Sequence, residues 1–453
     1  MGVIPAAKKS QQWPFNVKRF PFYYGWVVLV VGTMGMMAAV PGSPPGLSVF
    51  IDPMLSDLRL SRDTFSLAYT IGTLMAGIAA PFAGWAIDHY GVRGVATFTF
   101  LGLGLVLILT AFIPSVHAAI GGSAVNGMGG FLLVLIAFGG MRVMGVAFGM
   151  TVCRTMIFRW FAERRNLAAI INGIVLSLSF SSAPVLLNII ANRVGTQATW
   201  MVLGLLFAIG MTLVALIFFR DSPEACGVTI EKAKNAKDSR DTDIPEHLSF
   251  TARQALRTSA FWAINLAIAT HAIIGTGSAF HIVSLAGESD ILRDAALKLF
   301  LPISMVNIAS TLFFGWYSRR CPMRLLVLVL VAAQALTLMG LLYFGENYGR
   351  LLFTLGSGIG WGTFGILINV PWPRFFGRKH LGSINGYVSG ITILTSGLGP
   401  YLFGLSKATS GSFDPAIWLC IAATPLCLLA ALTVRNPNAT RNRLRRTAVI
   451  IGD

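Results

Sequence analysis

The chain has 453 residues, 55% of them apolar and only 12% charged, with a mean hydropathy of +0.70. A water-soluble domain carries about a quarter of its residues as charges, so a soluble enzyme or binding module is excluded. The formal charge of +17 would suit a nucleic-acid partner, but the placement of the basic residues, followed below, argues against one.

Apolar stretches of roughly 18 or more residues separated by clustered charge predict membrane-spanning helices. The tail 1–23, with its run "KKSQQWPFNVKRF", is polar and basic and does not read as a cleaved signal peptide. Helix 1 is predicted over 24–50, interrupted by "VPGSPPGLSVF", in which Pro41, Pro44, Pro45 and two glycines fall within six residues. Proline inside a helix costs about 3 kcal/mol. Broken backbone at membrane depth survives only when packed in protein or lining a watery cavity. Helix 1 should therefore bend inward there, as a gate or a binding surface; a bend needed only for packing is the competing reading.

Helices 2 and 3 are predicted over 64–87 and 94–113, with Tyr69, Thr70 and Thr73 as polar groups on the first. Helix 4 (130–157) carries Arg142 near its middle and Arg154 toward its end, about 18 Å further along the axis. A central arginine costs about 2.5–3.5 kcal/mol on insertion scales, so it must face a cavity or a partner. All 18 acidic residues fall in loops, tails or helix ends. An anionic substrate is then the natural counter-ion of Arg142, whose guanidinium suits bidentate carboxylate binding; an arginine held by backbone carbonyls and water is the alternative. Arg154 reads as a gate residue. Helices 5 and 6 follow over 167–191 and 198–219, with Asn172, Ser179 and Ser182 on helix 5.

After the polar insert 221–257, six more helices are predicted over 258–285, 292–316, 324–343, 350–371, 382–405 and 415–434. His271 and His281 lie on helix 7, about 80° apart around its axis. Histidine titrates near neutral pH and could carry a coupled proton; hydrogen bonding to neighbouring helices is the other reading. Asn307 on helix 8, Trp361 and Asn369 on helix 10, and Asn385 and Thr392 on helix 11 complete the polar lining, most of it interhelical glue.

With both termini and alternate loops on one side, that side holds 26 of the 35 Lys and Arg, and the other holds seven. This asymmetry places both termini in the cytoplasm and ties the basic groups to the membrane rather than to nucleic acid. The five cysteines, Cys153, Cys226, Cys321, Cys420 and Cys427, have no paired spacing and read as packing groups, and neither a metal nor a cofactor is expected. The expected layout is an N-terminal tail 1–23, a six-helix bundle 24–220, a central cytoplasmic loop 221–257, a second bundle 258–434 and a basic tail 435–453.

The halves resemble each other. "FRWFAERRNLAAIINGIVLS" (158–177) aligns with "PRFFGRKHLGSINGYVSG" (373–390), and "GWAIDHYGVRG" (84–94) with "GWYSRRCPMR" (315–324). Duplicated bundles are a transporter architecture. The pattern Gly84-x-x-x-Asp88-x-x-Gly91-x-Arg93 resembles the signature loop of the major facilitator superfamily. "RWFAERRNLA", "SPEACGV", "FGRKHLGSINGY" and "FYYGWVVL" are similar to the branch around oxalate/formate antiporters and monocarboxylate transporters. There are departures: His89 replaces the usual Arg or Lys of the loop, Arg319 stands where the second copy would have Asp, and neither helix 8 nor helix 11 has a central basic residue.

The resemblance implies an all-α membrane protein of twelve helices in two pseudo-symmetric six-helix bundles, rocking about a central site. Asp88 would lock the cytoplasmic side by capping a helix N-terminus, with Gly84, Gly91, Arg93 and Arg154 beside it and Pro41, Pro44 and Pro45 gating the other side. From Arg142, rather than from the branch resemblance, the expected activity is secondary-active transport of a small organic anion, coupled to a proton or to exchange of a second anion. Its binding residues would be Arg142, His271, His281, Tyr69, Asn172, Asn369, Asn385 and Trp361. Efflux of a neutral or amphipathic compound and a non-transporting sensor are the alternatives. A monomer in a bacterial inner membrane is expected, and no enzyme motif is present.

Overall fold

The computed structural model describes residues 13–119, 128–161, 165–228, 249–318, 320–377, 381–435 and 437, with the side chains of Asp88 and Asn385 outside the described set. Arg319 and the tail arginines Arg441, Arg443, Arg445 and Arg446 also lie outside it. The described residues are mostly helical, with no strand among them. They form two compact units, Met1–Ala236 and Lys237–Asp453.

The first unit contains α1 (Gly25–Ala39), α2 (Arg62–Ile87), α3 (His89–Ala111), α4 (Met128–Trp160), α5 (Ile170–Val194) and α6 (Thr196–Phe218). The second contains α7 (Ser259–Phe280), α8 (Arg293–Tyr317), α9 (Met323–Leu342), α10 (Asn347–Phe376), α11 (Gly386–Ser410) and α12 (Asp414–Thr433). Eleven of these are long and apolar enough to cross a membrane, and α1 is a shorter apolar helix. Large apolar side chains such as Ile78, Leu109, Ile136 and Leu429 are exposed on the helix flanks. Hydrocarbon, unlike water, exerts no penalty on such a surface.

Two departures from the expected spans have clear causes. Helix 1 does not run on to residue 50: it tightens to a 3-10 turn at Met37–Ala39 and stops. The Ser43 hydroxyl then donates to the Val40 carbonyl (2.6 Å) and accepts from the Gly46 amide (3.2 Å), capping the single turn Pro44–Leu47. Pro44 and Pro45 occupy the first positions of that turn, where a missing N–H is harmless. Pro41 and Pro44 are buried and Pro45 is partly so, so the broken backbone is packed in protein. A separate helix, Ile51–Leu58, follows before α2. The second departure is that α2 and α3 abut with only Gly91 breaking the helical path, at φ 78° and ψ 165°.

In the second unit α7 is central, packed against α9, α10, α11 and α12. Its closest approach is to α11, where a β-carbon on Gly399 would stand 2.4 Å from the Ile273 carbonyl oxygen. Pro400 cannot donate to the carbonyl of Ser396 one turn back. The Thr276 hydroxyl of α7 donates to that oxygen instead, at 2.8 Å, so a neighbouring helix satisfies the acceptor that the proline leaves open.

Candidate functional site

Arg142 begins a nine-residue π-helical stretch, Arg142–Met150, in the middle of α4. Such widened turns are rare and concentrate at functional positions. Two close approaches hold this one in register against the end of α1. A β-carbon on Gly145 would lie 2.5 Å from the Ala38 carbonyl oxygen, and one on Gly42 would lie 3.0 Å from the Met141 β-carbon. The proline break and the arginine are therefore neighbours in space, a relation that no sequence spacing displays.

The Arg142 side chain is 9% exposed, and its guanidinium carbon lies 5.3 Å from the centre of the buried Tyr69 ring. The Phe138 ring packs edge-on to Tyr69 at 6.1 Å and to Phe65 at 5.0 Å. Arg142 Nε makes no hydrogen bond, and no ion pair joins Arg142 to another described residue. A buried guanidinium supported mainly by a ring face retains donors for an anion. Asn172 takes a different part: its side-chain oxygen accepts from the Thr33 hydroxyl of α1 at 2.9 Å, a link between helices. Arg154 is exposed.

In the second unit His271 is buried with neither ring nitrogen hydrogen-bonded among the described residues. Its ring lies 5.0 Å from Trp361 and 5.5 Å from Phe364, both on α10. It also packs against Gly360, whose missing β-carbon would be 2.4 Å from His271 Cε1. His281 is anchored instead, with Nε2 2.9 Å from the Pro400 carbonyl oxygen. Asn369 is exposed and its amide donates to Gly365 of its own helix at 2.9 Å.

The signature loop reveals a residue that the sequence reading left in the polar insert. Asp221 Oδ1 accepts from the backbone amides of Val92 (2.7 Å) and Arg93 (3.4 Å). Those amides open the regular part of α3, where negative charge is favoured by unpaired N–H groups and the helix dipole. Gly91 is required on two counts: its φ is left-handed, and a β-carbon would lie 2.8 Å from Asp221 Oδ2. Arg93 Nε donates to Phe219 O at 3.1 Å and Nη2 to Trp13 O at 3.0 Å. Gly84 has open space around it. The only sequence signal for Asp221 was an acid directly after α6, at Arg220-Asp221.

Beside this clasp, Arg220 is fully buried, with its guanidinium carbon 4.9 Å from the Phe15 ring and Nη1 donating to Ile217 O and Phe219 O, each at 2.8 Å. The Tyr24 hydroxyl donates to Phe218 O at 2.7 Å, and the Tyr23 hydroxyl to Trp160 O. Burial pushes the Tyr24 phenol up to about 12, against the opposing pull of Arg220. Burial likewise pushes the Cys226 thiol up to about 11. No group of three or more potential metal ligands occurs among the described residues.

Eleven spanning helices, a shorter twelfth, two compact units and a clasped loop after the second helix define a polytopic membrane transporter. The model of the Major Facilitator Superfamily matches residues 25–373, and the chain belongs to that family. No curated protein sequence matches it. The crystal structure of a bacterial homologue of the human lysosomal transporter Spinster, inward-facing and unoccupied, superposes with a TM-score of 0.64. The alignment covers 91% of this chain and 98% of that one at 14% identity. At that identity the likeness is one of fold.

Proposed function

We propose that the protein is a secondary-active transporter of a small organic anion, a carboxylate, in a bacterial inner membrane with both termini cytoplasmic. It would work as a monomer by alternating access, in the manner of the oxalate/formate and monocarboxylate branch that its motifs resemble. The observation that carries this reading is Arg142: buried, presented by a π-helical stretch, backed by the Tyr69 ring, and with Nε unbonded. Coupling would run through a proton on His271 or through exchange of a second anion. The gating roles proposed for Asp88, Gly84, Arg93, Arg154 and the prolines belong to the same reading.

The test is ligand-dependent thermal stability of the purified protein against mono- and dicarboxylates, sugars, amino acids and hydrophobic cations. A ligand at a hundred times its Kd adds about 2.7 kcal/mol to the folded state. Stabilisation confined to carboxylates is expected. Arg142→Ala should weaken it roughly 30-fold, the value of a charge-assisted hydrogen bond worth about 2 kcal/mol. Arg142→Lys should recover only part, since an ammonium cannot grip both oxygens. Stabilisation by neutral or cationic compounds, unchanged in Arg142→Ala, would make Arg142 structural and favour an efflux function.

A further inference from the structure

Where the N-terminal segment approaches the start of α1 and the chain that follows α6, there is an open cavity of about 250 Å³. Its lining includes Lys18, Phe20, Phe22, Tyr23, Gly227 and Val228. Arg142 does not line the cavity, which shares Tyr24 with the buried corner beside the Asp221 clasp. We propose that it holds the headgroup of an anionic phospholipid of the adjoining leaflet, with the phosphate against Lys18 and the glycerol end against the aromatic wall.

Three observations converge on that occupant. The first is charge. Lys18 and Arg19 are both exposed at the last turn of the short helix Val17–Arg19, and among the described residues neither has an acidic partner and no acidic residue lines the cavity. Phosphate is the anion that a membrane presents to basic groups at its surface. The second is position. The cavity lies immediately before Gly25, where α1 starts, so it sits at headgroup level, where aromatic side chains with one apolar and one wet side collect.

The third is the state of the wall. Phe22 is 53% exposed, an apolar ring that meets Phe20 edge-on at 5.8 Å and otherwise stands open among the described residues. The tyrosine hydroxyls are already used: those of Tyr23 and Tyr24 donate to the carbonyls of Trp160 and Phe218. The rings are thereby held in place as a rigid wall, and Lys18 is left as the group that meets the ligand's charge. A soluble phosphate would satisfy Lys18 but leave Phe22 bare; a zwitterionic lipid would cover Phe22, but its own ammonium offsets the phosphate charge that Lys18 and Arg19 attract. The choice of leaflet rests on the cytoplasmic assignment of the N-terminus, whereas carboxylate binding at Arg142 is independent of it.

Native mass spectrometry of the full-length protein in detergent, titrated with dioleoyl phosphatidylglycerol or dioleoyl phosphatidylcholine, tests the proposal. One phosphatidylglycerol should bind at least tenfold more tightly than phosphatidylcholine. The double variant Lys18→Gln/Arg19→Gln should abolish that preference, and Phe22→Ala should weaken phosphatidylglycerol several-fold. Arg253→Gln/Arg257→Gln, which removes two exposed charges from the other unit, should keep the preference. Carboxylate-dependent thermal stability, read on the same variants, should be unchanged and shows that they fold. Equal binding of the two lipids overturns the proposal. So does a preference that survives the Lys18/Arg19 substitutions, one that the Arg253/Arg257 pair also loses, or competition by glycerol 3-phosphate at the concentration at which phosphatidylglycerol binds.

Discussion

Asp221 ties the start of α3 to the end of α6 through two backbone hydrogen bonds of unequal length. Its charge and its shape can be separated by substitution. Asp221→Asn keeps an acceptor but removes the charge that the helix terminus favours, a loss of about 0.3–1 kcal/mol. Asp221→Ala also orphans the amides and should cost about 1–2 kcal/mol, as the loss of a helix cap does. Thermal unfolding of the purified variants should rank wild type above Asn and Asn above Ala. Equal stability of all three would mean that the amides find another acceptor and that Asp221 is no clasp. The glycine beside it was legible as part of a motif, whereas its reason, the left-handed φ and the carboxylate over its missing β-carbon, is geometric.

At the scale of elements, departures from regular helix occur in each unit. The end of α1, the π-helical stretch of α4 and the Pro400 region of α11 each combine a backbone irregularity with a neighbour that closes over it. The proline break could be located from residue types alone, because proline and glycine act locally. The π-helical stretch could not: glycines such as the two in "RVMGVAFGM" are common in regular membrane helices, and the close approach of Gly145 to Ala38 is visible only in the fold. Gly145→Ala tests that contact. The new methyl would meet the Ala38 carbonyl oxygen at 2.5 Å, so α1 or α4 must move, with a cost of about 1–3 kcal/mol as in overpacked cores. Carboxylate binding should fall with it, although residue 145 would not touch the ligand. Retained affinity in a destabilised variant would show that the register of the π-helical stretch does not position Arg142.

For the molecule as a whole, the spans and the twofold repeat were readable because hydrocarbon imposes a length and a polarity that composition records directly. The partners of individual polar groups were not, since contacts such as Thr276 with Ser396 or Asp221 with Val92 join residues more than a hundred positions apart. The buried corner formed by Tyr24, Arg220 and Cys226 is a contact of this kind, and it gives the fold a particular response to alkali. An unfolded thiol loses its proton near 9, but Cys226 in the fold keeps it to about 11 because burial disfavours the thiolate. Below pH 9 both states hold the proton and the contribution is fully present. Between 9 and 11 the unfolded state binds fewer protons than the folded one, so stability falls as pH rises. The loss at completion is roughly 3 kcal/mol, two pKa units at 1.36 kcal/mol each. Tyr24, pushed up to about 12 chiefly by burial, extends the same decline. Thermal unfolding in detergent from pH 8 to 11 should therefore drop from about pH 9 in the wild type. In Cys226→Ala the decline between pH 9 and 11 should be smaller by about that amount. A decline of the same size in the two proteins would show that the thiol ionises as freely in the fold as out of it, and that this corner is open to water.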